Sequence, residues 1–133
     1  MIKEICQYIE SNTAYQVGID LFEISINPDS DIDECTVIAE PNPGLVDGLL
    51  TDKRFIPLVA YSRALTRFTA RDNAYIVFNL LHGTQQVSLD VIGSGYQYVC
   101  NFECRTPYYM GLDESGRRHV FATPIDVTVT NML

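Results

Sequence analysis

The densest run of chemistry-bearing residues in the chain is acidic. Asp29, Asp31 and Asp33 alternate, and Glu40 follows Asp29 by eleven positions. That is the 1, 3, 5 and 12 spacing with which a calcium loop gathers oxygen ligands around one hard cation. Two features oppose it. Position six is Glu34, where the loop needs glycine for its turn, and the flanks read as strands rather than helices. A solvated acidic hairpin tip is the plainer reading.

Four cysteines, Cys6, Cys35, Cys100 and Cys104, include no Cys-x-x-Cys pair. Cys100 and Cys104 lie four residues apart on one predicted strand, a separation of about 13 Å. That is too far for a disulfide or for one tetrahedral zinc. All four are expected to pack as reduced, small hydrophobes. The two histidines, His82 and His119, lack the neighbourhood of a hydrolase elbow or a catalytic cysteine box. His82 ends a predicted helix, where its cationic form would suit the helix dipole. Gly93-Ser94-Gly95 is too short for a phosphate-binding loop and lacks the βα context. No catalytic residue, metal or cofactor is expected.

Residues 107–118 offer a different chemistry. Tyr108 and Tyr109 precede Asp113-Glu114, a Ser-Gly turn and Arg117-Arg118. Tyrosine and arginine are enriched where proteins meet one another, so Tyr108, Tyr109, Asp113, Glu114, Arg117 and Arg118 are candidate interface residues. An ordinary charged hairpin loop is the competing reading.

Two periodicities set the elements that must position these residues. Ile2, Ile5, Cys6 and Ile9 recur at helical steps, opposite Lys3, Gln7 and Glu10, and the helix stops near Ser11-Asn12-Thr13. A second helix is expected from about Thr66 to His82, with Ala70, Ala74, Val77, Phe78 and Leu81 as its buried stripe and Gly83 as its stop. Ile76 and Leu80 fall off that stripe, as lateral core contacts or as residues facing another subunit. Strands are expected where Phe22, Ile24 and Ile26 alternate with polar residues, around Thr36 to Glu40, and from Arg54 to Ser62. The third is apolar on both sides, which calls for cover on both faces. Its Pro57 calls for an edge or a bulge. Pro41-Asn42-Pro43-Gly44 punctuates a turn before a loop over 44–52. Three more strands carry Val87, Leu89 and Val91, then Tyr96 to Cys104, then Ile125, Val127 and Val129. The order is helix, three strands, helix, three strands. It predicts one α+β domain over residues 1–133, a two-layer sandwich. Two helices would lie on one face of a mostly antiparallel sheet of about five to six strands.

The bulk properties narrow the partners. A net charge of −8 repels phosphate backbones, so a DNA-binding groove is not expected. No apolar run approaches the ~20 residues that cross a bilayer, and Glu4 interrupts the N-terminus, which does not read as a signal peptide.

Pro107, Gly111-Leu112-Asp113-Glu114 and Gly116-Arg117, followed by a last strand, resemble the C-terminal signature of phage tail-terminator (minor capsid) proteins. Tyr61-Ser62-Arg63-Ala64, leading into Ala70, Ala74 and Leu81-His82-Gly83, is similar to the strand-to-helix passage of the same family. The resemblance implies a small, non-enzymatic α+β subunit of a phage or prophage virion. Copies would form a homo-hexameric ring at the tail-neck junction, after assembly in the host cytoplasm. The ring would cap the major tail tube protein, join it to the head-completion (neck) protein, and let DNA pass without holding it. Contacts would fall to the 107–118 residues above, to Ile76 and Leu80, and to Asp29, Asp31 and Asp33. A head-completion or stopper protein is the competing reading. A small calcium-binding or hydrolytic domain is a more distant one.

Overall fold

A computed structural model describes residues 1–24, 31–40, 54–91, 93 and 95–132. The expected turn at Pro41 to Gly44, the loop over 44–52, Asp29 and the Ile26 end of the first strand lie outside the described residues. The described elements are α1 (Ile2–Asn12), β1 (Leu21–Glu23), β2 (Cys35–Ala39), β3 (Arg54–Ala64), α2 (Arg67–Leu81), β4 (Val87–Asp90), β5 (Gln97–Cys104), β6 (Tyr108–Leu112) and β7 (His119–Met132).

The two helices form where the 3.6-residue stripe is strongest. α1 buries Ile5, Cys6 and Ile9, and α2 buries Ala70, Ala74, Val77 and Leu81. Thr66 caps α2, its hydroxyl accepting the Thr69 N–H at 3.1 Å, and Gly83 (φ +77°) turns the chain away after the His82 cap. Both helices supply one core. In it Ile5, Cys6, Ile9, Val77 and Leu81 meet the inward residues of the sheet, Leu58, Ala60, Cys100, Phe102, Ile125 and Val127 among them. A second, smaller cluster of Ala64, Ala70, Ala74 and Phe121 seats the start of α2 on β3 and β7.

The sheet order is β1-β2-β3-β7-β5-β4, with β6 also paired to β7. β3 and β7 pair antiparallel along the whole length of β3, from Arg54↔Val129 to Ala64↔His119. The far edge of β7 is divided: β6 pairs with His119 to Ala122, and β5 takes over from Ile125. Pro124 falls in the gap between those ladders, where a missing N–H is tolerated. Among the described residues Pro57 pairs only with β7, because the described β2 ladder ends at Val59. β3 is thus a central strand whose proline has β7 alone as a described neighbour, and its register with β7 shows no bulge.

The α+β sandwich is as expected, with corrections. Among the described residues the sheet has seven strands rather than five or six, because residues expected to be loop form β6. The first strand is three residues long, runs parallel to β2 and buries Leu21, not Phe22 or Ile24. Ile24 leaves the strand at φ +70° and is exposed. Adjacent apolar residues at Leu21 and Phe22 leave the phase open, and a one-residue slip reverses every side chain. Cover on both faces of β3 is partial: Val59 is buried, while Phe55 is 43% exposed.

Candidate functional site

The β6–β7 hairpin gathers most of the residues singled out by type. Its turn is organised by Asp113, whose carbonyl accepts the Gly116 N–H (3.0 Å) and whose N–H donates to the Arg118 carbonyl (2.8 Å). The Asp113 side chain accepts the Ser115 N–H at 3.0 Å and bonds the Ser115 hydroxyl. Short aspartate side chains favour this self-bonded turn, and Gly116 (φ +72°) supplies the left-handed residue.

Behind the turn lies an ion network. Arg118 Nε donates to Asp33 Oδ1 at 2.9 Å, and Arg118 Nη1 stands 3.6 Å from Asp113 Oδ2. Arg63, on the central strand β3, lies 4.0 Å from the same Asp113 oxygen and donates through Nη2 to the Ile32 carbonyl at 2.7 Å. Arg118 is only 3% exposed at its side chain and Arg63 11%. Buried guanidinium groups persist only where carboxylates and carbonyls replace water. Burial works to raise the Asp113 carboxyl. The Ser115 hydroxyl, backbone bonds from Arg118 and Ser115, and the Arg118 charge outweigh it, holding Asp113 below the ordinary carboxylate range. The Asp33 hydrogen bond is the main influence lifting Arg118 above its usual value.

The two neighbouring arginines therefore differ. Arg118 is a brace, tying the hairpin to residues 31–34. Arg117 is 63% exposed and reaches Asp33 only at 3.6 Å. Glu114 and Asp31 are exposed and have no partner among the described residues. Of the calcium-spaced acids, Asp33 is committed to arginine and Glu34 accepts from Asn73 Nδ2 at 2.8 Å. Leu80 packs against the main core, a lateral core contact, whereas Ile76 is exposed.

Tyr109 and Tyr108 also part ways. The Tyr109 hydroxyl and His119 Nδ1 share a hydrogen bond at 2.8 Å, and the Arg67 guanidinium sits 4.1 Å over the Tyr109 ring. Tyr108, Met110 and Leu112 are half exposed on a strand that pairs only with β7 among the described residues. A register shift between Tyr109 and Gly111 bends the strand at Met110. Leu65 and Phe68, exposed between β3 and the first turn of α2, lie beside the Arg67 that covers Tyr109.

His82 stands as the C-cap of α2, its Nδ1 accepts the Cys104 N–H at 3.1 Å, and its ring stacks on Phe78 at 4.8 Å. All four cysteines are free and buried. Burial pushes the Cys6 and Cys104 thiols up to about 12 and Cys100 up to about 11, far from thiolate reactivity.

Reading by residue type missed Arg63 as an ion partner, because the expected strand ended at Ser62 whereas β3 runs on to Ala64 and buries the arginine. It also passed over Glu103, Asp126 and Phe55 on the open face of the sheet. Comparison of the chain with protein-family models, with curated proteins and with solved structures gives no match.

Proposed function

We propose that this chain is a structural subunit of virion assembly, of the tail-terminator kind. Its copies close head to tail into a homo-hexameric ring that caps the phage tail tube and meets the neck protein above it. The observation that carries the reading is strand β6. Its five residues, Tyr-Tyr-Met-Gly-Leu, carry no charge, and Tyr108, Met110 and Leu112 are half exposed along an edge with no described neighbour. Edge strands of solitary proteins are ordinarily protected by charge or proline, or by being very short. β1 is three residues long and β4 ends on Asp90. An uncharged edge suits a protein partner that adds to the sheet or packs over it.

Two further points support the reading. The residues that resemble the tail-terminator signature, Pro107, Gly111 to Glu114 and Gly116-Arg117, lie on or beside this same strand and its turn. The α+β architecture is also the one that the resemblance implies. A repeated contact between two different surfaces closes into a ring when the rotation per subunit is right.

Electron microscopy and sedimentation of the purified chain, alone and with tail-tube or neck subunits, test the proposal. Rings, or caps on tube ends, are expected, and Met110→Lys should abolish them while leaving the circular dichroism spectrum intact. A 15.0 kDa species under every condition, with bare tubes, refutes it. Binding to neck subunits alone would identify a stopper protein instead.

A further inference from the structure

The face of the sheet turned away from the helices carries a second feature, set by strand register. Two rows cross β3, β7 and β5: Phe55, Thr128 and Asn101 in one, Pro57, Asp126 and Glu103 in the next. Asp126 and Glu103 are direct cross-strand partners. Side chains so placed start about 5 Å apart, and like charges in that relation destabilise a sheet. Neither carboxylate has a hydrogen bond or ion pair among the described residues. Phe55, 43% exposed, stands one row away, and the groove between them measures about 300 Å3, lined also by Asn101, Thr128 and Thr130.

We propose that this groove docks an arginine side chain presented by a protein partner. Two carboxylates whose side chains leave adjacent strands about 5 Å apart suit a guanidinium, which binds carboxylates with paired N–H groups. An exposed phenyl ring beside them offers the face on which a guanidinium stacks and an ammonium fits less well. The groove is shallow, lying on a sheet face, whereas sites for free small molecules enclose most of the ligand. A side chain anchored in a larger surface needs no such enclosure. A bound arginine would also remove the repulsion between Asp126 and Glu103, so its docking relieves a cost carried by the free chain. The groove has this chemistry whether or not the chain forms a ring.

The test is a titration of the isotope-labelled full chain with N-acetyl-arginine amide at low salt, followed by NMR. Saturable shifts are expected at the amides of Phe55, Asn101, Glu103, Asp126 and Thr128, with a dissociation constant of about 1 mM for the isolated side chain. N-acetyl-lysine amide should bind several-fold more weakly. The isosteric pair Glu103→Gln and Asp126→Asn should bind arginine about tenfold more weakly, and Phe55→Leu about threefold. The double variant should melt at an equal or higher temperature than the parent, because it removes a like-charge pair. Four results would each overturn the proposal. These are shifts scattered over the acidic surface, equal binding of lysine, saturation of the same residues by calcium chloride at lower concentration, and a double variant that melts lower than the parent.

Discussion

Arg117 and Arg118 are neighbours in sequence, yet their removal should have unequal consequences. Replacing Arg118 by methionine keeps an apolar stem of similar reach and deletes the guanidinium. The loss includes a charge-assisted hydrogen bond to Asp33 and a longer attraction to Asp113. A hydrogen bond to a charged group contributes about 1.5–3 kcal/mol. Breaking a fully buried ion pair costs about 3–5 kcal/mol, because it strands the remaining charge. Here the stranding is incomplete. Asp33 is 36% exposed and regains water, while Asp113 keeps Ser115 and the nearby Arg63. The expected cost is therefore about 2 kcal/mol, or a fall in melting temperature of about 6–10 °C for a chain of this length. Arg117→Met removes only an exposed contact and should cost about 0.5 kcal/mol or less.

Urea denaturation of the two variants measures both values. A cycle combining Arg118→Met with Asp33→Asn should return a coupling of about 1–2 kcal/mol. The Arg118 effect should largely survive 0.5 M sodium chloride, while any Arg117 effect should vanish as salt screens exposed charge. Equal losses in the two variants, or a coupling near zero, would refute the assignment of Arg118 as the brace.

The remaining predictions concern the same core and hairpin. Asp113 has its folded-state pKa lowered, so its stabilising contribution is complete above the unfolded carboxylate value near 4 and is lost as pH falls through the lower folded value. The stability gap between the parent and Asp113→Asn should thus narrow below about pH 4, read by denaturation at a series of pH values. Tyr15→Phe deletes a buried hydroxyl that bonds Thr36 Oγ1 at 2.8 Å and the Asn73 carbonyl at 3.3 Å, and should cost about 1–2 kcal/mol in the same assay. Tyr15→Phe and Thr36→Val remove the same hydrogen bond, so their combination should be less than additive. All four thiols should resist a disulfide reagent at pH 8 in the native protein and react fully in denaturant; rapid labelling of Cys6 or Cys104 in the native state would contradict their burial.

Local periodicity made much of this fold legible, and its failures have local causes. The helices emerge from stripes of three- and four-residue spacing, and β5 and β7 from clean alternation around Phe102 and Val127. Strand β1 is too short to fix its own phase. β6 escaped because Tyr108, Tyr109 and Met110 do not alternate, and because Pro107, Gly111 and Gly116 punctuate the stretch like a loop. Its bulge lets consecutive bulky residues pair with one neighbouring strand. The order of strands is not a local property at all. Arg118 meets Asp33 across 85 positions, and Asp126 faces Glu103 only because β7 lies between β3 and β5. The charged residues of the hairpin could be picked out by type, but their division into brace and surface depends on those distant pairings.

That division bears on how the proposed assembly would work. An edge strand docks a partner best when it is already held in its bound shape, since ordering it during binding costs free energy. The Arg118, Asp33, Asp113 and Arg63 network sits behind the turn that ends β6, and Arg67 and His119 hold Tyr109 near its start. The half-exposed residues Tyr108, Met110 and Leu112 thus stand on a strand fixed near its start and beyond its C-terminal end. Loss of Arg118 should weaken assembly by more than it weakens folding at temperatures where the chain is still native, because a loosened hairpin must be reordered at every contact of a ring. Loss of Met110 should do the reverse, sparing the fold and removing the contact.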